Sequence, residues 1–246
     1  MTIREAIRSK QEEMRRKSPR ERRAYFWEYH KTAVIALAAL LAVGIFLAAD
    51  VFGKKEIAFH GMFINAEERQ GQQLAAGFAQ AAGIDSEKGE IRLDSALKIS
   101  HDSNSPEVIY GIEAMLAHIS AGAIDTIACD GELLISFGYL DYLMDLRQVL
   151  TDRELESLGG SLLYIDRAVL EGLYDAAMDP ENVPEDFPDP GNPAAMEDPV
   201  PVGILLNGTL DEAFSFSGTS PAIGIASTTN RKALSAAFIR YILAPS

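Results

Sequence analysis

The sequence predicts an α/β protein whose mostly parallel sheet stands behind a single N-terminal transmembrane helix. Three observations predict it. Thr32 to Ala49 is eighteen residues without a charge, and beyond Asp50 apolar runs of strand length alternate with amphipathic runs of helix length. The charge is also split: residues 1–31 hold ten Lys/Arg against five Asp/Glu, whereas the chain from Asp50 onward holds twelve against thirty-one.

As a helix the uncharged stretch would reach ~27 Å, close to the ~30 Å hydrocarbon core of a bilayer. A buried helix of that length normally carries a polar stripe, and this one has none. The chain therefore divides into a basic leader at 1–31, a membrane helix at 32–52 and an outer domain at 56–246. Basic residues beside a membrane helix stay on the cytoplasmic side. The leader, at net +5, is expected inside and the body, at net −19, outside. Ser18-Pro19-Arg20-Glu21 is a helix start with a capping box and proline at the first helical position. Tyr25, Phe26, Trp27 and Tyr29 then fall at the headgroup level, where aromatic rings anchor. A cleaved signal peptide fits less well, because its leader is short and its cleavage site small-residue, and Ala48-Ala49 matches such a site poorly. Cys129 is the one cysteine, so no disulfide forms within the chain, and its apolar neighbours make it a small buried hydrophobe.

In the outer domain, Ile57–Ile64 reads as a strand ending at Asn65. A helix is expected over 66–82, where Leu74, Phe78 and Ala82 recur every four residues and Gly83 can stop it. Ile91, Leu93, Ser95, Leu97 and Ile99 sit at alternate positions and fit a strand. Ser105-Pro106 opens an amphipathic helix closed by Gly122, and Ile124–Cys129 is a buried strand ending at Asp130-Gly131. Leu133–Leu140 and Tyr142–Leu150 read as short helices, Thr151–Glu154 as a further start, and Leu162–Ile165 as a strand. Residues 178–201 hold seven of the eleven prolines among many acids and read as a mobile acidic excursion. Val202–Asn207 and Ala222–Ala226 are buried strands, and Thr229 or Asn230 caps a last helix built on Ala233, Leu234, Ala237, Phe238, Tyr241 and Ile242.

Signals for catalysis are missing. His30, His60, His101 and His118 form no H-E-x-x-H or other close metal pair, and Ser220 lacks the G-x-S-x-G elbow. Neither G-x-G-x-x-G nor G-x-x-x-x-G-K-[ST] occurs, and the acidic excursion lacks the spacing of a calcium loop. A body at net −19 is wrong for nucleic acid. The expectation is a protein that is not an enzyme, with no cofactor and no metal.

Four stretches carry a resemblance. Ala121-Gly122-Ala123-Ile124-Asp125-Thr126, Gly138–Leu150, Val202-Gly203-Ile204 and Ala222–Ile225 with Ala233–Leu243 resemble segments of the extracellular solute-binding proteins of bacterial ABC importers, of the type 2 periplasmic-binding-protein class. The leader, Ser18–Tyr29 before one membrane helix, resembles that of a group of single-pass membrane proteins of Gram-positive bacteria. About 190 outer residues make the implied fold a reduced one, in which a lobe is incomplete. The resemblance implies non-catalytic binding of a small solute. The alternative is a scaffold docking onto a membrane protein complex. In open α/β sheets ligands lie beyond the carboxyl ends of strands, which nominates Asn65, Asp130, Asn207, Thr228 and Asn230. Each has a plainer alternative as a turn former or helix cap.

Overall fold

The computed structural model describes residues 55–99, 106–178 and 187–244, with isolated helical positions at 27, 31–32, 35–36 and 39–44. The chain divides into two units, Met1–Lys54 and Lys55–Ser246. Most of the expected membrane segment at 32–52 lies outside the described residues, and among the described residues no helix is long and apolar enough to cross a membrane. Ile35, Leu40, Leu41 and Val43 are helical there, with their side chains exposed.

The unit Lys55–Ser246 is built on β1 (Glu56–Phe63). Alternate residues of this strand point to opposite faces. Phe59 and Phe63 enter a core with Phe78, Phe214 and Phe238, while Met62, with Ile64 just beyond the strand, enters a second core with Met115, Ile119 and Leu134. A central sheet thus separates two apolar layers. Helices α1 (Gly71–Ala81) and α6 (Lys232–Leu243) cover one face. The other is covered by α2 (Pro106–Ser120), α3 (Gly131–Tyr139) and α5 (Arg167–Met178). Crossovers through α1 and α2 place β3 (Gly89–Asp94) and β4 (Thr126–Asp130) on either side of β1, both parallel to it.

Beyond β4 the expectation of a mostly parallel sheet is corrected. The six strands run in the order β3-β1-β4-β8-β6-β5, and the last three pairings are antiparallel. Here β5 is Leu162–Asp166, β6 Pro199–Leu205 and β8 Pro221–Ile225. The chain passes from β6 to β8 through a short ribbon strand, β7 (Phe214–Phe216), with no crossover helix to return it parallel. A strand buried on both faces is apolar throughout whichever way it runs, so its pattern is silent on direction.

Other corrections are local. Residues 66–68 form β2, the antiparallel partner of β7, and α1 starts only at Gly71. The strand expected to reach Ile99 stops at Asp94, and Asn65 holds the chain beyond it by clasping the Ile99 backbone at both N–H and C=O. The second short helix, Tyr142–Leu150, is instead a bridge from Leu143 to Ala226 and one 3-10 turn, Leu146–Gln148, capped by Asp145. The expected start at Thr151 holds: α4 (Asp152–Leu158) opens with a Thr151–Glu154 capping box. Residues 179–186 of the acidic excursion lie outside the described residues, and 187–201 are tied into the fold. Pro190 accepts a hydrogen bond from Tyr164 N–H, the Asp166 carboxylate gathers the Ala168, Glu197 and Asp198 N–H groups, and Pro199 and Pro201 belong to β6. The cap position of α6 is Arg231, with no side-chain bond of its own; Thr229 Oγ accepts the Arg231 N–H at 3.0 Å just ahead of the helix, and Asn230 makes no such bond among the described residues.

Candidate functional site: a crevice at the carboxyl ends of the parallel strands

Beyond the ends of β1, β4 and β6 lies a pocket of about 530 Å³, bounded by the β2–β7 ribbon. Its polar wall comprises Arg69, Asn207, Asp211, Ser215, Thr219 and Ser220. Two of its bounding turns use left-handed backbone, at Asn65 (φ 56°) and Asn207 (φ 47°), a conformation that asparagine tolerates better than most residues.

Three of the five nominated residues gather at this end. Asn207 lines the pocket, and its side-chain N–H donates to Ser161 Oγ at 3.0 Å. Asp130 caps α3 through Glu132 N–H, and its other oxygen faces Ser220 N–H at 3.5 Å. A β-carbon added to Gly218 would lie 2.0 Å from that oxygen, so the loop Ser217–Ser220 rests against the Asp130 carboxylate where only glycine fits. Asn65 is a turn former, and its carbonyl accepts from the Ser217 N–H and Oγ–H, both at 3.0 Å. Asp130 and Asn65 thus position the loop that walls the pocket, and Asn207 belongs to the wall.

Thr228 and Asn230 lie at the opposite end of the sheet. The rule that ligands sit at carboxyl ends was applied to β8 as to a parallel strand, yet β8 runs antiparallel to β4, with Ile225 beside Thr126. Thr228 donates to the Ile119 carbonyl at the end of α2, and Gly122 (φ 65°) packs against the Thr228 carbonyl and the Asn230 side chain. These are structural contacts.

That amino end is closed by a buried ion pair. Asp125, fully buried, accepts from His60 N–H at 2.7 Å, from Thr229 Oγ–H, and from Arg231 Nε at 2.9 Å on both oxygens. Arg231 also donates to the Ile57 and Ala123 carbonyls, tying β8, β1 and the α2–β4 turn together. His60 is held neutral by desolvation, which pushes its pKa below the usual 6.5. Its Nδ1–H donates to the Ala123 carbonyl at 3.2 Å, while Nε2 is buried with no partner among the described residues. Burial likewise pushes the Cys129 thiol far up, so it stays protonated as the small hydrophobe expected.

Arg69 is the residue that sequence reasoning missed. Its guanidinium donates to the Asp211 carbonyl at 3.2 Å and to Ser215 Oγ at 2.9 Å. Nothing local marked it, because it sits in a stretch expected to be helical and its partners are 142 and 146 residues away. Compared with known proteins, the chain matches no protein-family model, no curated protein and no solved structure.

Proposed function

We propose that the chain is a membrane-anchored, extracytoplasmic binding protein that takes a small polar solute without catalysis. The observation that carries this is the crevice itself. It is of ligand size, lined by convergent polar groups, and placed where α/β sheets bind ligands. Its hydroxyls, from Ser215, Thr219 and Ser220, have no histidine beside them in the pocket wall, which supports binding over nucleophilic chemistry. The outer residues form one unit around one sheet, so the solute enters an open crevice rather than a cleft that closes between two lobes. The uncharged Thr32–Ala49 stretch supports the anchor, and the basic leader supports a cytoplasmic N-terminus.

The test is a thermal-shift screen of the full chain in detergent against sugars, polyols, carboxylates, phosphate and amines. A ligand at a hundred times its Kd raises stability by about 2.7 kcal/mol, a shift of several degrees. If no class shifts the melting temperature at millimolar concentration, the solute reading fails.

A second reading, docking onto a membrane protein complex, is favoured by a different surface. Between α3, α5 and Phe187–Pro190 lies an apolar groove of about 530 Å³ with Leu140, Tyr174 and Phe187 exposed at or near its rim. Exposed apolar patches of this kind mark interaction sites. A Leu140→Glu, Phe187→Glu double variant that leaves the size of the detergent-extracted assembly unchanged would remove this reading.

A further inference from the structure

We infer that the solute held in the crevice carries an anionic group, bound by Arg69 together with the Gly218–Thr219 turn. The inference rests on the crevice being the solute site and names what the site selects. A guanidinium has five N–H donors, and the two bonds to Asp211 and Ser215 leave three unused. Both of those acceptors are neutral, and among the described residues no carboxylate pairs with Arg69. Elsewhere in the unit the arginines Arg92, Arg147, Arg167, Arg231 and Arg240 each face a carboxylate, and Arg153, like Arg69, has none among the described residues but does not line the crevice. Arg69 is therefore a positioned cation whose charge is not neutralised by an ion pair. The Ser215 and Asp211 contacts fix where it points, and it lines a pocket large enough for a small organic anion.

The Gly218–Thr219 turn adds uncharged donors to the same pocket lining. Among the described residues the main-chain N–H groups of Gly218 and Thr219 have no hydrogen-bond partner, and both residues border the pocket. Main-chain N–H groups that line the same pocket as a guanidinium make a receptor for carboxylate or phosphoryl oxygens, because each bond to an ionised acceptor is about twice as strong as a neutral one. Asp211 and Asp130 limit the anion's size and charge. Asp211 also lines the pocket and Asp130 lies behind Gly218, so a compact singly charged group is favoured over a highly charged one.

The experiment is isothermal calorimetry on the full chain in detergent, with acetate, lactate, succinate and inorganic phosphate as anionic probes. Glycerol and glucose are the neutral probes and choline the cationic one. The expected result is binding of at least one anion that weakens at least tenfold in Arg69→Gln and recovers partly in Arg69→Lys. Because Arg69 also bridges β7 to the loop after β6, a second variant leaves its bonds intact. Thr219→Asp places a carboxylate on the pocket wall and is expected to weaken anions at least tenfold more than any neutral ligand. Binding of neutral or cationic probes alone, or anion binding indifferent to both variants, overturns the inference and leaves solute binding standing. Binding of no probe of any class overturns both.

Discussion

The two ends of the sheet both carry an arginine, an aspartate and hydroxyls, and put them to different use. At the amino end of the parallel strands the Arg231 guanidinium, the Thr229 hydroxyl and the His60 main-chain N–H all donate to the buried Asp125 carboxylate. At the carboxyl end an arginine, an asparagine and several hydroxyls surround about 530 Å³ of open space. Arg231 meets both oxygens of a fully buried carboxylate, whereas Arg69 meets two neutral oxygens at the surface. Composition therefore does not tell a structural polar cluster from an available one. What tells them apart is whether each charge finds its partner inside the fold.

The largest expected effect comes from breaking the closed end. Asp125→Ala leaves the Arg231 guanidinium without its counter-charge, and losing one partner of a buried pair costs about 3–5 kcal/mol. Urea denaturation should show that loss, and a change below ~1 kcal/mol would mean the network is not what holds this end. The open end is more tolerant. Gly218→Ala forces the loop off the Asp130 carboxylate and should cost about 1–3 kcal/mol, as overpacking does. It should also weaken the crevice ligand, which Asp125→Ala does only in so far as it unfolds the protein.

Acid sharpens the contrast. The folded state keeps His60 neutral and lowers its pKa, so the unfolded chain binds that proton more readily. Stability from this source is fully present above about pH 6.5 and is lost as pH falls below it. His60→Gln should flatten that part of the melting-temperature profile, and an unchanged slope would assign it to another group. A smaller effect is expected at a site belonging to neither end. Glu154 is held down to about 2, first by its bond to Arg240 and then by Thr151. Its contribution is present above about pH 4.5 and lost as pH falls towards 2. Thr151→Ala removes the capping side chain, costs about 1 kcal/mol in denaturant melts, and should leave solute binding untouched.

Much of the fold was legible in local pattern. The buried runs around β1, β4, β6 and β8, the amphipathic α2 and the capping box before α4 all lie where periodicity and end signals put them. Strand direction was not legible, because apolar runs buried on both faces look alike either way, and that hid the reversal of β8. The same reversal explains the site. Asn65, Asp130 and Asn207 follow strands that end at the crevice, whereas Thr228 and Asn230 follow one that ends at the far side. The β2–β7 ribbon pairs three-residue strands about 150 positions apart in sequence, too short to carry a period, and Arg69 went unseen with it.

The most direct test of an open end set against a closed one is amide hydrogen exchange of the full chain, with and without the tightest-binding solute of the panel. Protection is expected to rise around Arg69 and over residues 206–221, with residues 121–126 and 226–231 unchanged because the Asp125 carboxylate already has its partners within the fold. Protection centred on the Asp125–Arg231 end, with the crevice unaltered, would contradict the assignment and place the ligand where the structure shows a finished core.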